Sequence, residues 1–429
     1  MTRPRVRPRR LAFCAVTALL SLSSNAAAQP AGNAPARGSE LSVLADVFGG
    51  YDMPTSSSRE AAPGQLDSFV YGGGNASMGF THAFRNLVFT SSGAASRYYS
   101  PDVPSLSPRY SASLGLASSG PSRWSWTLFQ NVGYGQRDAA NLFASRGLSV
   151  SNLQFGVPAT GLDFGLSADR NLTADTAASL NFAMSRRDRL SFSGGLNTVF
   201  LTEGEDTQYV RFRGQALYTR SAGRYYALRA GYRYDQAQAF EGGDLVLGRQ
   251  AIHGIDLGLS YSRPLPFSRR TTVSLDTGSS AVPRTGRRWD YFVVGNGGIR
   301  HEFGRSWQAE VAVERSVRFV VAFPDATLTN AASVSFGGRP ATKLYMAISG
   351  NYSFGTSGFT TEPFDFEAYS GTATVRVTPT NAVGLFAEYF YFVANLDGAA
   401  AAPFGADLGR HGVRAGVSIG TNLLGRRRN

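Results

Sequence analysis

Cysteine occurs once in this 429-residue chain, at Cys14, lysine once, at Lys343, and histidine four times. Beyond residue 28 no apolar run approaches the ~18 residues that a membrane-spanning helix needs, so a helical membrane protein is excluded. A glycine-every-third repeat and heptad composition are both missing, which removes collagen and coiled coil. No His or Cys cluster has metal-ligand spacing, and no phosphate loop or dinucleotide fingerprint is present. Charged residues are only 17 % of the chain. Against these shortages stand 49 glycines, 12 % aromatic residues and 43 % apolar residues. Aromatic content this high with charge this sparse excludes a disordered chain.

Five of the twelve net positive charges sit in the first ten residues. Residues 1–10 read MTRPRVRPRR, followed by the short apolar stretch LAFCAVTALLSLSS and then NAAAQ. A charged segment, an apolar segment and small residues in that order describe a secretory signal peptide over 1–28, with Ala26 and Ala28 as the cleavage pattern. Cys14 lies inside it, so the exported chain has no cysteine and no disulfide. Removing the five arginines of residues 1–10 lowers the formal charge to +7, and they are not a nucleic-acid patch.

From residue 39 onward apolar and polar residues alternate at period two. In 207–220, TQYVRFRGQALYTR, Val210, Phe212, Ala216 and Tyr218 fall on one face and Arg211, Arg213 and Gln215 on the other. In 223–236, Tyr226, Leu228, Ala230, Tyr232 and Tyr234 alternate with Arg229, Arg233 and Asp235. Successive side chains of a strand point to opposite faces, so these segments are amphipathic strands. They run about a dozen residues, roughly twice the ~5–6 of strands in soluble sheets, which suits tilted strands crossing a bilayer. Gly72-Gly73-Gly74 and Gly297-Gly298 fall inside such strands, where they relieve curvature or mark bulges.

Counting these segments gives an all-β chain: a single antiparallel up-and-down transmembrane β-barrel of about 20 strands over 39–422, with 18 the next count. Residues 29–38 form a short periplasmic segment and 423–429 a basic tail. Short connections such as 221–222 and 305 suit the periplasmic side, and longer ones at 52–65, 237–249 and 394–408 the outside. Trp124, Trp126, Tyr226 and Trp307 lie near short-turn ends, and Tyr232, Tyr234, Tyr389 and Tyr391 near long-loop ends, as two interfacial girdles require. The weakest strand is 146–156. Without it, 136–160 becomes a long connection that folds inward, with Arg137 and Arg146 at a constriction.

On these residues the chain resembles the Gram-negative outer-membrane β-barrels, porin-like, over 39–422. The last strand, RHGVRAGVSIGTNL, has the alternation and glycines of a barrel-assembly signal, although the chain ends GRRRN rather than on an aromatic residue. The resemblance implies an outer-membrane location, with membrane lipid and the barrel-assembly machinery as partners. Strand number and a basic lumen loosely resemble exporters of anionic polysaccharide.

Catalysis has no clear foothold. His82, His253, His301 and His411 stand apart from one another, and none has a recognisable Ser and carboxylate beside it. No catalytic residue, metal, cofactor or nucleic-acid partner is expected. The inward face is more informative. Parity places Arg211, Arg213, Arg229, Arg233, Arg300, Arg376 and Arg414 toward the lumen, among other arginines, with Asp163, Asp235, Asp256, Asp276, Glu302, Glu310, Glu314 and Glu388 on the same side. One reading is a ladder of ion pairs that stiffens the wall. The other is a lumen of positive potential that attracts small anionic solutes or acidic polysaccharide. A turn near Ala222 sets Arg211 opposite Arg233 and Arg229 opposite Gln215. The expected function is a non-enzymatic channel for hydrophilic solutes with a mild anion preference. Its alternatives are a non-transporting structural or adhesion barrel and a barrel hydrolase.

Overall fold

The computed structural model describes residues 38–54, 68–101, 108–118, 122–136, 170–201, 207–223, 225–241, 244–265, 268–284, 288–304, 306–319, 326–357, 364–380, 382–396 and 407–424. They form eighteen strands and no helix. The first nine are β1 (Gly38–Pro54), β2 (Phe69–Ala83), β3 (Leu87–Tyr99), β4 (Arg109–Ser118), β5 (Trp124–Gln136), β6 (Arg170–Ala183), β7 (Asp188–Leu201), β8 (Thr207–Ser221) and β9 (Tyr226–Glu241). The second nine are β10 (Asp244–Leu265), β11 (Ser268–Arg284), β12 (Arg288–Phe303), β13 (Trp307–Phe319), β14 (Ala326–Ala341), β15 (Leu344–Ser357), β16 (Phe364–Val377), β17 (Val383–Leu396) and β18 (Asp407–Leu424).

Each strand pairs antiparallel with its chain neighbours, and β18 closes on β1 in a long ladder from Pro54–Arg410 to Leu41–Leu424. Closure leaves no unpaired edge, which is the condition for a sheet to sit in lipid. Eighteen is the second of the two strand counts read from the sequence. β5 bonds directly to β6, from Trp124–Phe182 to Gln136–Arg170, so the ring has no place for two more strands between them. The strand expected at 146–156, the one at 161–170 apart from Arg170, and Arg137 and Arg146 lie outside the described residues.

The outward face is apolar. Val47, Leu257, Tyr291 and Val293 are 70 to 75 % exposed. At the short-turn end, rings pair across strands: Trp124 on Phe182 at 4.1 Å, Trp307 on Phe336 at 4.9 Å and Tyr226 with Tyr261 at 5.1 Å between centroids. At the other end lie Tyr352 on Tyr369 at 4.8 Å, and Tyr232 and Tyr234 around His253. The Tyr352 and Tyr369 hydroxyls both donate to Glu367. Each such pair adds roughly 0.5–1.5 kcal/mol beyond area burial and marks a water–lipid boundary.

A 15-residue strand such as β8 is ~50 Å long at ~3.4 Å per residue. Even tilted by ~40° it overreaches an apolar belt ~25 Å tall, so strand ends stand above the membrane. This corrects the expected loop at 237–249. β9 runs on to Glu241 and β10 begins at Asp244, with register irregularities at Leu245/Leu247 and Leu247/Gln250. Backbone pairing continues there without the alternation that lipid enforces.

The glycine run of β2 carries no bulge, since its ladders to β1 and β3 keep register throughout. Gly73 instead faces Phe48, whose ring a Cβ would meet at 2.8 Å, and a Cβ at Gly416 would meet the Cβ of Phe48 at 2.7 Å and the Phe386 ring at 2.8 Å. The two glycines leave the room in which Phe48 packs against the inner wall.

Protease added to intact cells is expected to cut within 55–67 or 397–406 and not at the 222–225 turn, from the asymmetry in connection length. Cleavage confined to the short turns would mean the opposite orientation.

Candidate functional site: the lumen wall

The inner wall divides into two regions of different chemistry. Around β1, β2, β3, β17 and β18 it is packed shut. Phe48, Phe69, Tyr71, Tyr98 and Phe390 form one buried aromatic cluster, with Phe386 against it. Two ion pairs are sealed beside it. Arg410 Nε donates to Asp52 at 2.6 Å, and Arg414 bonds Glu388, both side chains of the latter pair being 2 % exposed. The Arg414 guanidinium also lies 5.0 Å from the Phe48 ring centre, and that of Arg410 lies 5.2 Å from Phe69. A planar cation over an aromatic face is favourable when both are desolvated. Arg414, expected to line the water path, is therefore part of the packed wall. Arg376 sits beside it and donates to Ser418 at 2.8 Å.

The wall of β8 to β11 carries a polar, charged cluster beside an apolar patch of Ala237, Ile252 and Val282. Here the ladder differs from the expected one by four residues. The turn is closed by Ala222 N–H donating to the Tyr226 carbonyl at 2.9 Å, so it pivots about residue 224 rather than near Ala222. Arg213 lies opposite Asp235, Arg211 opposite Ala237, Gln215 opposite Arg233 and Thr219 opposite Arg229. The four arginines thus split into two groups. In the upper one, Arg211 Nε donates to Asp235 at 2.8 Å and Arg213 Nε lies 3.5 Å from the same carboxylate. Arg233, two residues before Asp235 on the same face, donates to Ser280 at 3.1 Å. In the lower group Arg229 lies between Asp276 at 2.8 Å and Asp256 at 3.3 Å.

Near the long-loop end, then, Arg211 and Arg213 share the Asp235 carboxylate, below it Asp256 and Asp276 share Arg229, and Arg233 lies between the two groups and acts on both Asp235 and Asp256. The Arg211 and Arg213 side chains are 15 % exposed, and Arg229 18 %. Arg300 lies toward the short-turn end and donates to Gln308 at 2.6 Å.

The histidines all fall in the two girdles, on the outward face. His82 bonds Ser39 at 2.7 Å and His301 bonds Thr271 at 2.6 Å at the short-turn end. His253 meets Tyr232, and His411 stacks edge-on with Tyr389, at the other end. Sequence parity already put His253 and His411 there. Parity did not reveal the Asp52–Arg410 pair or the aromatic cluster. The only signal was the spacing of Asp46 and Asp52 on the inward side of β1, against Arg410 and Arg414 on β18.

A closed antiparallel wall of eighteen strands, an apolar outer face and two aromatic girdles define this chain as a transmembrane β-barrel. No family model and no curated protein matches it. Solved structures that superpose include the siderophore receptor PirA from Pseudomonas aeruginosa, with TM-score 0.44, 8 % identity, and 91 % of this chain and 81 % of that one covered. Others are OccAB3 from Acinetobacter baumannii (0.43, 10 %, 90 % and 99 %) and the FrpB iron transporter from Neisseria meningitidis (0.45, 8 %, 90 % and 82 %). At this level of superposition and identity the likeness carries no argument about substrate.

Proposed function

We propose that the barrel is a non-enzymatic channel for hydrophilic solutes with a mild preference for anions. The observation that supports this most is the β8–β11 wall, where Arg211, Arg213, Arg229 and Arg233 outnumber Asp235, Asp256 and Asp276 and gather most densely around Asp235. Low-dielectric walls focus such an excess of charge into the lumen, and fixed guanidinium groups bind carboxylate and phosphate oxygens in bidentate fashion. Small anionic solutes fit this short cluster better than an extended acidic polysaccharide, which would need the positive stripe to continue. Instead Asp256 and Asp276 lie directly below. In the same reading residues 1–28 direct export, cleavage follows Ala26 and Ala28, and β18 presents itself to the assembly machinery in the closing step.

Replacing Arg211, Arg213, Arg229 and Arg233 together by glutamine tests the reading in planar bilayers. The reversal potential in a salt gradient should move toward cation selectivity. The shift should be largest at low salt, because the screening length falls from ~30 Å at 0.01 M to ~3 Å at 1 M. A folded quadruple variant with unchanged selectivity at every salt concentration would make the arginines wall structure only. The sealed aromatic wall favours a second reading, a structural barrel whose lumen is filled. Absence of conductance from correctly folded protein would select it.

A further inference from the structure

We propose that the outer ends of β13 and β14, residues 316–319 and 326–328, form the constriction of this barrel. This end of the hairpin parts from β12, leans into the mouth with β14 still paired to β15, and is held there by its own apolar face and by Arg211. The constriction role rests on the channel reading above; the placement of the hairpin does not.

The departure is visible in the ladders. β12 stays paired to β11 up to Arg284–Arg288, but its pairing with β13 stops at Gly295–Arg315. β13 and β14 remain paired to each other up to Phe319–Ala326. Beyond Arg315 the hairpin is therefore released from β12, while β14 stays paired to β15 up to Thr327–Ser357.

Burial shows where it goes. Val311 and Val313 face lipid and are 50 % and 54 % exposed. Val317 and Phe319 continue the same parity, yet are 2 % and 6 % exposed. With Ala326 they cluster on Ile252 and Val282, and Ala237, Phe292, Val294 and Leu328 pack around them. Ile252 and Val282 belong to the lumen side. Ile252 lies directly opposite Asp235, and Val282 is two residues from Ser280, the acceptor for Arg233. Side chains that would face lipid in a straight wall thus lie on the inner surface of β9 to β12.

Arg211 supplies the independent observation. Its Nη1 donates to the main-chain carbonyl of Phe319 at 3.1 Å, and its guanidinium lies 5.8 Å from the Phe319 ring centre. β8 and β13 are five strand steps apart, so at ~4.8 Å per step a wall-bound Phe319 would be roughly 24 Å away along the sheet. One arginine side chain cannot span that. The same guanidinium holds Asp235, so the element that narrows the mouth is tied to the charged cluster that gives the mouth its sign.

Two measurements test this. With Cys14 replaced by serine, the pair Ala237→Cys and Phe319→Cys should be joined within one chain by a thiol cross-linker ~10 Å long, because four strand steps in a wall would hold them roughly 19 Å apart. The control pair Ala237→Cys and Val313→Cys should not be joined. Failure of the first pair to react in folded protein overturns the placement of the hairpin. Second, Val317→Ser with Phe319→Ser removes the apolar hold. It should raise unitary conductance roughly twofold and admit larger neutral polymers, as widening a constriction does. Unchanged conductance and size limit in a folded variant, judged by heat-modifiable mobility, overturn the constriction. A hairpin that cross-links in a barrel silent with and without the serines refutes the channel reading and the constriction role together. Neutral-polymer exclusion does not depend on charge, so loss of anion selectivity alone leaves this inference standing.

Discussion

Asp235→Asn should strengthen the anion preference, most of all at low salt. The carboxylate sits 2.8 Å from Arg211 Nε and 3.5 Å from Arg213 Nε, with Arg233 on the same face. Asparagine keeps an acceptor for Arg211 and the Phe319 carbonyl keeps another, so the side chains stay in place while one negative charge is lost. A unit charge about 6 Å from a passing ion in water-filled space is worth about 0.7 kcal/mol, roughly a threefold change in local anion concentration. The permeability ratio from reversal potentials should rise by about that factor in 0.01 M salt and by little in 1 M, where the Debye length is ~3 Å. A ratio that falls, or stays fixed at low salt, would mean that this cluster does not face the conducting path.

Glu388→Ala should cost the barrel about 3–5 kcal/mol, because removing one partner of a sealed ion pair leaves the other charge buried and uncompensated. Arg414 is 2 % exposed on its side chain and enclosed by Phe48 and Phe386. Water can reach it only by opening the aromatic cluster. The double change Glu388→Met with Arg414→Met should recover most of the loss, since an apolar pair of similar volume often does no worse than a buried ion pair. Denaturant unfolding in detergent micelles measures both. A single variant as stable as the parent would show that this wall is wet, contrary to its burial.

Much of the architecture is legible in the sequence because lipid enforces it. Val311 and Val313, or Leu257 and Leu259, must alternate with polar neighbours wherever one face meets hydrocarbon. Trp124, Trp307, Tyr232 and Tyr389 mark the boundaries because rings with a polar edge settle there. The pattern fails where lipid no longer acts. Val317 and Phe319 keep the lipid-facing parity of β13 although they lie inside the mouth. The β9–β10 hairpin runs on as paired backbone where a loop was expected.

Register is the other loss. Alternation fixes which face Arg211 and Arg233 share, but a turn pivot two residues further along the chain shifts every opposing pair by four. That shift places Asp235, not Gly231, opposite Arg213. The arginine cluster is therefore half legible. Its residues could be read from parity, whereas the acids that compensate them needed the ladder.

The measurement that tests the central claim most directly is the reversal potential of the unmodified protein across a planar bilayer, in a tenfold gradient of potassium chloride at low ionic strength. The expected result is stepwise conductance with the sign of chloride preference, weakening as both sides are raised toward 1 M. A potassium-selective sign, or no conductance from barrel shown to be folded, would contradict it.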